Sequence, residues 1–185
     1  MPPSTFVVCA IVLCAAGSGC KSSKHARVTS YAPLPVPAGF VERSGRGWRL
    51  AVPSTWKEKS AKGPWAWAVA DPQPVDDLRA SVNVVVEPFN GESFEYARAS
   101  EAALRREPRA TVEVSHEDVV DGDPTLLIES RWAPVPPLSA TYRTLQSALA
   151  SSGAGYLVTC SVASNAFERY RSTCESVVRS FAVER

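Results

Sequence analysis

The chain has 185 residues, with 20 Lys and Arg against 19 Asp and Glu and a formal charge of +1. That near-balance, with the basic residues scattered, excludes an electrostatic nucleic-acid binder, which needs clustered positive charge. Fifteen prolines, dense at Pro33 to Pro37, Pro72 to Pro74 and Pro134 to Pro137, exclude long uninterrupted helices.

Phe6 to Ala16 reads FVVCAIVLCAA, too short to span a bilayer comfortably but of the length of a signal-peptide core. Gly17, Ser18 and Gly19 follow, then Cys20. A peptidase that cuts before a cysteine needs small preceding side chains, because the extended substrate backbone lies close against the enzyme. Cys9 follows Val8 and Cys14 follows Leu13, so among the leader cysteines only Cys20 has such neighbours. The stretch resembles a bacterial lipobox, although Gly17 stands where that motif prefers Leu or Val and no Lys or Arg precedes Phe6. The expectation is a signal peptide over 1–19, with acyl chains (palmitate among them) on Cys20. These would hold the protein on the outer membrane or on the periplasmic face of the inner membrane.

Residues 20–43 carry Ser, Lys and Pro without an apolar period, as a flexible tether would, and turn polyproline-like at Pro33 to Pro37. Residues 44–185 then form the folded domain. Gly47 to Pro53 alternates as a strand that ends at a turn. Trp56 and Trp65 to Ala70 suggest two more short strands, and Asp71 to Asp77 a Pro- and Asp-rich loop. Ala80 to Phe89 is a half-buried strand with Val82, Val84 and Val86 on one face and Asn83, Val85 and Glu87 on the other.

Asn90-Gly91 turns the chain, and Ser93 is placed to cap a helix that Pro108 ends near Glu107. Phe94, Ala97, Glu101 and Leu104 fall on one side of that helix, a modest stripe that predicts partial exposure on a sheet surface. Ala110 to Val120 and Pro124 to Trp132 read as a hairpin around Asp121-Gly122-Asp123. Ser139 to Leu149 and Gly155 to Ala163 read as a second hairpin around Ser151-Ser152-Gly153. Phe167, Tyr170, Cys174, Val177, Val178 and Phe181 recur at helical spacing, and Asn165 with Glu168 fits a capping pair. This order predicts an α+β domain, an antiparallel sheet with helices packed on it.

The segments GWRLAVPSTW, SVNVVVEPFNGESFEYA, DGDPTLLIES and GYLVTCSVASNAFERYRSTCESVVRSF together resemble the DcrB-type and PsbP-like group of bacterial envelope lipoproteins. The resemblance covers Gly45 to Arg185 and implies an α/β/α sandwich around an antiparallel sheet. It implies no activity and no binding residue.

Chemistry is sparse. His25 lies in the tether and His116 in a strand, so neither a zinc site nor a Ser-His-Asp triad assembles easily. A cell-envelope hydrolase using His116 is the alternative function, and it requires a serine and a carboxylate to converge on that ring. Asp71, Asp76, Asp77, Asp118, Asp121 and Asp123 lack the spacing of a calcium loop and read as turn residues. No metal or cofactor is expected. Trp48, Trp56, Trp65 and Trp67 are candidates to line a ligand cleft, with core packing as the blander account. Cys160, on the same strand face as Tyr156, Val158 and Val162, is expected to form a disulfide with Cys174 in the apolar stripe of the next helix. The functional expectation is a noncatalytic envelope lipoprotein that binds a partner protein or small ligand, or serves structurally.

Overall fold

The computed structural model describes residues 36–59, 66–134 and 139–185. Cys20, Trp65 and most of the expected tether lie outside them.

Seven strands make the main sheet: β3 (Lys57–Glu58), β4 (Trp67–Val75), β5 (Leu78–Pro88), β6 (Ala110–Val120), β7 (Asp123–Trp132), β8 (Tyr142–Ser151) and β9 (Ala154–Ala163). Their order is β3-β4-β5-β9-β8-β7-β6, and every neighbouring pair is antiparallel. After β5 the chain crosses through helix α1 (Ser93–Arg106) to the far edge, returns by two hairpins, and closes the sheet by pairing β9 with β5. A smaller sheet, β1 (Phe40–Gly45), β2 (Trp48–Pro53) and β10 (Ala182–Val183), lies beside helix α2 (Phe167–Arg179). The fold is thus α+β, with two helices packed on antiparallel sheets.

The turns follow local chemistry. Asp121 and Gly122 (φ 54° and 80°) close the β6–β7 hairpin, and Ser152 and Gly153 (φ 52° and 79°) close β8–β9. Both are two-residue loops with left-handed backbone at both positions, the twist that antiparallel strands favour.

Two apolar cores flank the main sheet. The larger gathers Leu50 and Val52 of β2, Val82 and Val84 of β5, Leu149 of β8, Val158 of β9, and Phe167, Val177 and Val178 of α2. The disulfide between Cys160 and Cys174 bonds β9 to α2 inside this core, with Cα atoms 5.5 Å apart. The smaller core holds Tyr96, Ala97 and Leu104 of α1 against Leu126, Ile128 and Trp132 of β7 and Ala148 of β8.

Several local expectations change. The sheet reaches back to Phe40, into the C-terminal end of the stretch expected as tether. The segment expected as a loop from Asp71 is strand up to Val75. A register shift between Ala70 and Pro74 lets β4 keep Pro72 and Pro74, and only Asp76-Asp77 turns (φ 47° and 62°). Helix α1 is capped by Glu92 with Glu95 in a reciprocal capping box, not by Ser93. The Ser93 hydroxyl instead reaches the sheet, donating to Asp123 at 3.0 Å and accepting from the Ala150 N–H at 2.9 Å. Asn165 caps nothing: a 3₁₀ turn over Ser164–Ala166 precedes α2, and the Asn165 amide donates to Asp76. Phe181 lies past the end of α2 and is buried, just before a strand that no periodicity announced.

Candidate ligand-binding face

The residues singled out in the sequence mostly serve the core. Trp48 and Trp56 are buried, and the Trp48 ring lies 5.4 Å from that of Trp67. Trp56 packs at 6.4 Å from the ring of Tyr170. The candidate aromatic cleft is therefore interior packing around β2 and α2 wherever the structure describes it.

His116 stands exposed on β6, at one edge of the sheet, opposite Leu127. Among the described residues no hydrogen bond joins it to a serine or a carboxylate. The aspartates mostly serve turns and ties. Asp71 accepts from the Tyr170 hydroxyl at 2.9 Å, Asp121 accepts from the Val183 N–H at 3.1 Å, and Asp118 pairs with Arg179 at 2.8 Å. No group of three or more possible metal ligands occurs among the described residues.

One charged cluster is closed on itself. Glu129, 4% exposed, pairs with Arg143 and with Arg171 (2.8 Å). Arg143 also meets Glu113 at 2.7 Å, and Arg171 meets Glu168 at 2.8 Å. Both guanidinium groups lie over the Phe167 ring, at 4.4 and 4.8 Å from its centroid. The Arg171 hydrogen bond holds the Glu168 carboxyl below its ordinary pKa. Each charge here has a partner, so the cluster fastens the start of α2 to β7 and β8.

The other side of the sheet is different. Helix α1 packs over β6, β7 and β8. Its first turn reaches β5 through Tyr96, whose ring lies over Gly155 and whose hydroxyl donates to Glu87 at 2.8 Å. A Cβ at Gly155 would come within 2.6 Å of that ring, so the approach requires glycine. Burial, then the Glu87 charge, pushes the Tyr96 pKa well above its ordinary value.

Away from α1, strand register aligns two polar rows across the sheet. Gln146 of β8 stands opposite Thr159 of β9, Thr159 opposite Asn83 of β5, and Asn83 opposite Ala68 of β4. Lys59 continues this row, its N–H donating to the Ala68 carbonyl at 3.0 Å. Next to it, Thr144, Ser161, Ser81, Ala70 and Lys57 form a second row from β8 to β3. Opposed residues of antiparallel strands share a face, so these side chains rise together.

Exposure grades along the rows. Thr144, Gln146 and Thr159 are buried, Ser161, Ser81 and Asn83 are half-buried, and Lys57 is exposed, as is Arg79 beside the rows on β5. The Gln146 amide donates to Thr159 Oγ1 at 3.0 Å, while its buried Oε1 has no hydrogen-bond partner. Burial, and then the Arg79 charge, lowers the Lys59 pKa to about 8. The nearby acids Glu58 and Asp71 point to the opposite face, toward Arg43 and Tyr170. The arrangement can accept and donate hydrogen bonds through short side chains and offers positive charge at one end.

The sequence reading missed this face. Its signal was in the strands' second phase: Ser81 and Asn83, Thr159 and Ser161, and Thr144 and Gln146 each sit two apart on one strand. Which strands lie side by side was needed to join them.

No family model and no curated protein matches the sequence. Solved structures do resemble the fold. A PsbP protein of the cyanobacterium Synechocystis aligns with TM-score 0.54 at 16% identity, over 85% of this chain and 99% of its own. LpqN of Mycobacterium tuberculosis, described as involved in cell envelope biogenesis, aligns with TM-score 0.56 at 12% identity, over 79% of this chain and 90% of its own. The Ran-binding protein Mog1p of Saccharomyces cerevisiae aligns with TM-score 0.51 at 15% identity, over 78% of this chain and 94% of its own. The fold is therefore PsbP-like, an architecture shared by proteins of different roles. Among the described residues no helix is long and apolar enough to cross a membrane.

Proposed function

We propose that the chain is a noncatalytic envelope lipoprotein of the DcrB type, anchored through acyl chains on Cys20, whose PsbP-like domain binds a partner protein or small ligand. The observation that carries the binding role is the pair of polar rows on the face that α1 leaves open, centred on Asn83, Ser81, Thr159 and Ser161. A sheet face kept only for stability gains from apolar cover, whereas this one keeps hydrogen-bonding groups within reach of solvent. The likeness to LpqN and Mog1p fits a binding or structural role. Anchoring rests on the leader: the apolar run to Ala16, the small residues and Cys20.

Two measurements test the proposal. Mass spectrometry of the purified mature protein is expected to give an N-terminal peptide that begins at acylated Cys20. An unacylated peptide beginning there rejects the anchor. In whole cells, a photo-crosslinking amino acid at Ser81 is expected to capture a discrete species that the same group at Arg98, on the exposed side of α1, does not. Equal capture at both positions rejects the face.

A further inference from the structure

This inference rests on the binding role just proposed and names the ligand's chemistry. On the α1 side, the end of the rows at β3, β4 and β5 carries Lys57, Lys59 and Arg79, while Glu58 and Asp71 point to the opposite face. Glu87, which does share the α1 side, is occupied by the Tyr96 hydroxyl at 2.8 Å. This end therefore suits an anion. The other end presents the Gln146 amide, buried with 6% exposure, whose Oε1 has no partner. A buried acceptor left unpaired costs about 1–3 kcal/mol, so a ligand that donates a hydrogen bond there gains by it.

Gln146 and Lys59 lie on strand positions separated by four interstrand steps, about 19 Å at about 4.8 Å each. An extended peptide of about six residues spans that length. Between the ends the floor is low, with Ala68 and Ala70 in β4 and short hydroxyl and amide side chains in β5 and β9. The backbones of β5, β9 and β8 are hydrogen-bonded on both sides, so recognition falls to side chains. The aromatic rings on this side are packed on each other: Trp132 stacks on Tyr142 at 5.7 Å, and Phe89 lies 4.8 Å from Tyr96. That leaves no aromatic platform for sugar stacking at the rows and favours a peptide.

We infer that the open face takes an extended peptide laid across the strands, with a carboxylate at the Lys57, Lys59 and Arg79 end and an N–H donor to Gln146 Oε1. The peptide N–H groups supply donors at the spacing of the rows, and a terminal carboxylate supplies the charge.

The test uses the full chain in detergent and an array of random peptides about six residues long, attached by their N-termini and ending in either a free carboxylate or an amide. Retained sequences are then measured as free fluorescent peptides by anisotropy. The free acids are expected to bind at least about tenfold tighter than their amides, since one charge-assisted contact is worth about that much. Arg79→Gln, at an exposed position, is expected to abolish the preference. Asn83→Ala is expected to weaken acid and amide forms alike, with the unfolding midpoint nearly unchanged. If acid and amide bind equally and Asn83→Ala still weakens both, the anion assignment falls while the binding face stands. If no peptide is retained, or if binding ignores both substitutions, the peptide inference is wrong. A glycan array hit that Asn83→Ala removes would also overturn the peptide class.

Discussion

On the α2 side of the main sheet, β5 and β9 present Val82, Val84, Val158, Cys160 and Val162, all 0% exposed; on the other side the same strands present Ser81, Asn83, Thr159 and Ser161. Each set comes from the strict alternation of a strand, so one stretch of chain writes both. The difference teaches how the work is divided. Apolar burial on the α2 side, reinforced by the Cys160–Cys174 bond, stabilises the sheet. The opposite side can then keep polar groups that add little to stability.

The sharpest way to break that comparison is to damage each side in turn. Leu149→Ala, at a position with 0% exposure in the larger core, is expected to cost about 4 kcal/mol, from lost transfer energy plus a cavity. Asn83→Ala on the other side is expected to change stability by less than about 0.5 kcal/mol. Denaturant unfolding followed by tryptophan fluorescence measures both. Comparable losses would mean that the polar face is a second structural core.

The covalent part of the α2 side comes next in size. The bridge joins residues 14 apart in sequence, and removing it with Cys160→Ala and Cys174→Ala together is expected to cost about 3 kcal/mol in the chain-entropy account. The wild-type midpoint should fall on adding reductant, and that of the double variant should not.

Where α1 meets the sheet, the expected effect is smaller and depends on pH. The Tyr96 hydroxyl, buried and bonded to Glu87, has its pKa raised in the folded state. Its contribution is therefore fully present below the ordinary tyrosine pKa of about 10 and is lost as pH climbs above it. Tyr96→Phe is expected to cost about 1 kcal/mol at neutral pH and to flatten the alkaline fall in stability, read from thermal midpoints across the pH range.

Lys59 has the smallest effect and the opposite sign. With its folded pKa lowered to about 8, the folded protein binds fewer protons than the unfolded chain between there and the ordinary lysine value of about 10.4. Its charged form costs stability at neutral pH, and that cost is relieved as pH rises through this window. The side chain is only half buried, so solvent screens the effect to well under about 1 kcal/mol. Lys59→Gln should remove this small alkaline gain, measured as the difference in midpoint between pH 7 and pH 9.5.

What was readable in the chain were the features with short-range causes. The two hairpin turns declared themselves because Asp121-Gly122 and Ser152-Gly153 accept left-handed backbone. The α2 stripe declared itself because its apolar residues recur at helical spacing, and that stripe led directly to the pairing of Cys174 with Cys160. Three local expectations failed where longer-range contacts outbid local ones. Ser93 left its capping position for the carboxylate of Asp123, thirty residues on, and Asn165 was drawn to Asp76. Pro72 and Pro74, which suggest a loop, were kept in a strand by a bulge.

By itself the sequence determined the antiparallel α+β class, the turn positions, the inward faces of β5 and β9, and the helix that carries Cys174. Periodicity and turn chemistry depend on neighbours within a few residues, and one chain displays those completely. Tertiary structure alone decided that β9 pairs with β5, that the tryptophans pack inside, and that polar residues from β8, β9 and β5 line up with Lys59 on one face. The physical reason is strand order. Alternation tells which residues share a side of their own strand, but a row across a sheet exists only once the folded chain has chosen each strand's neighbours and register.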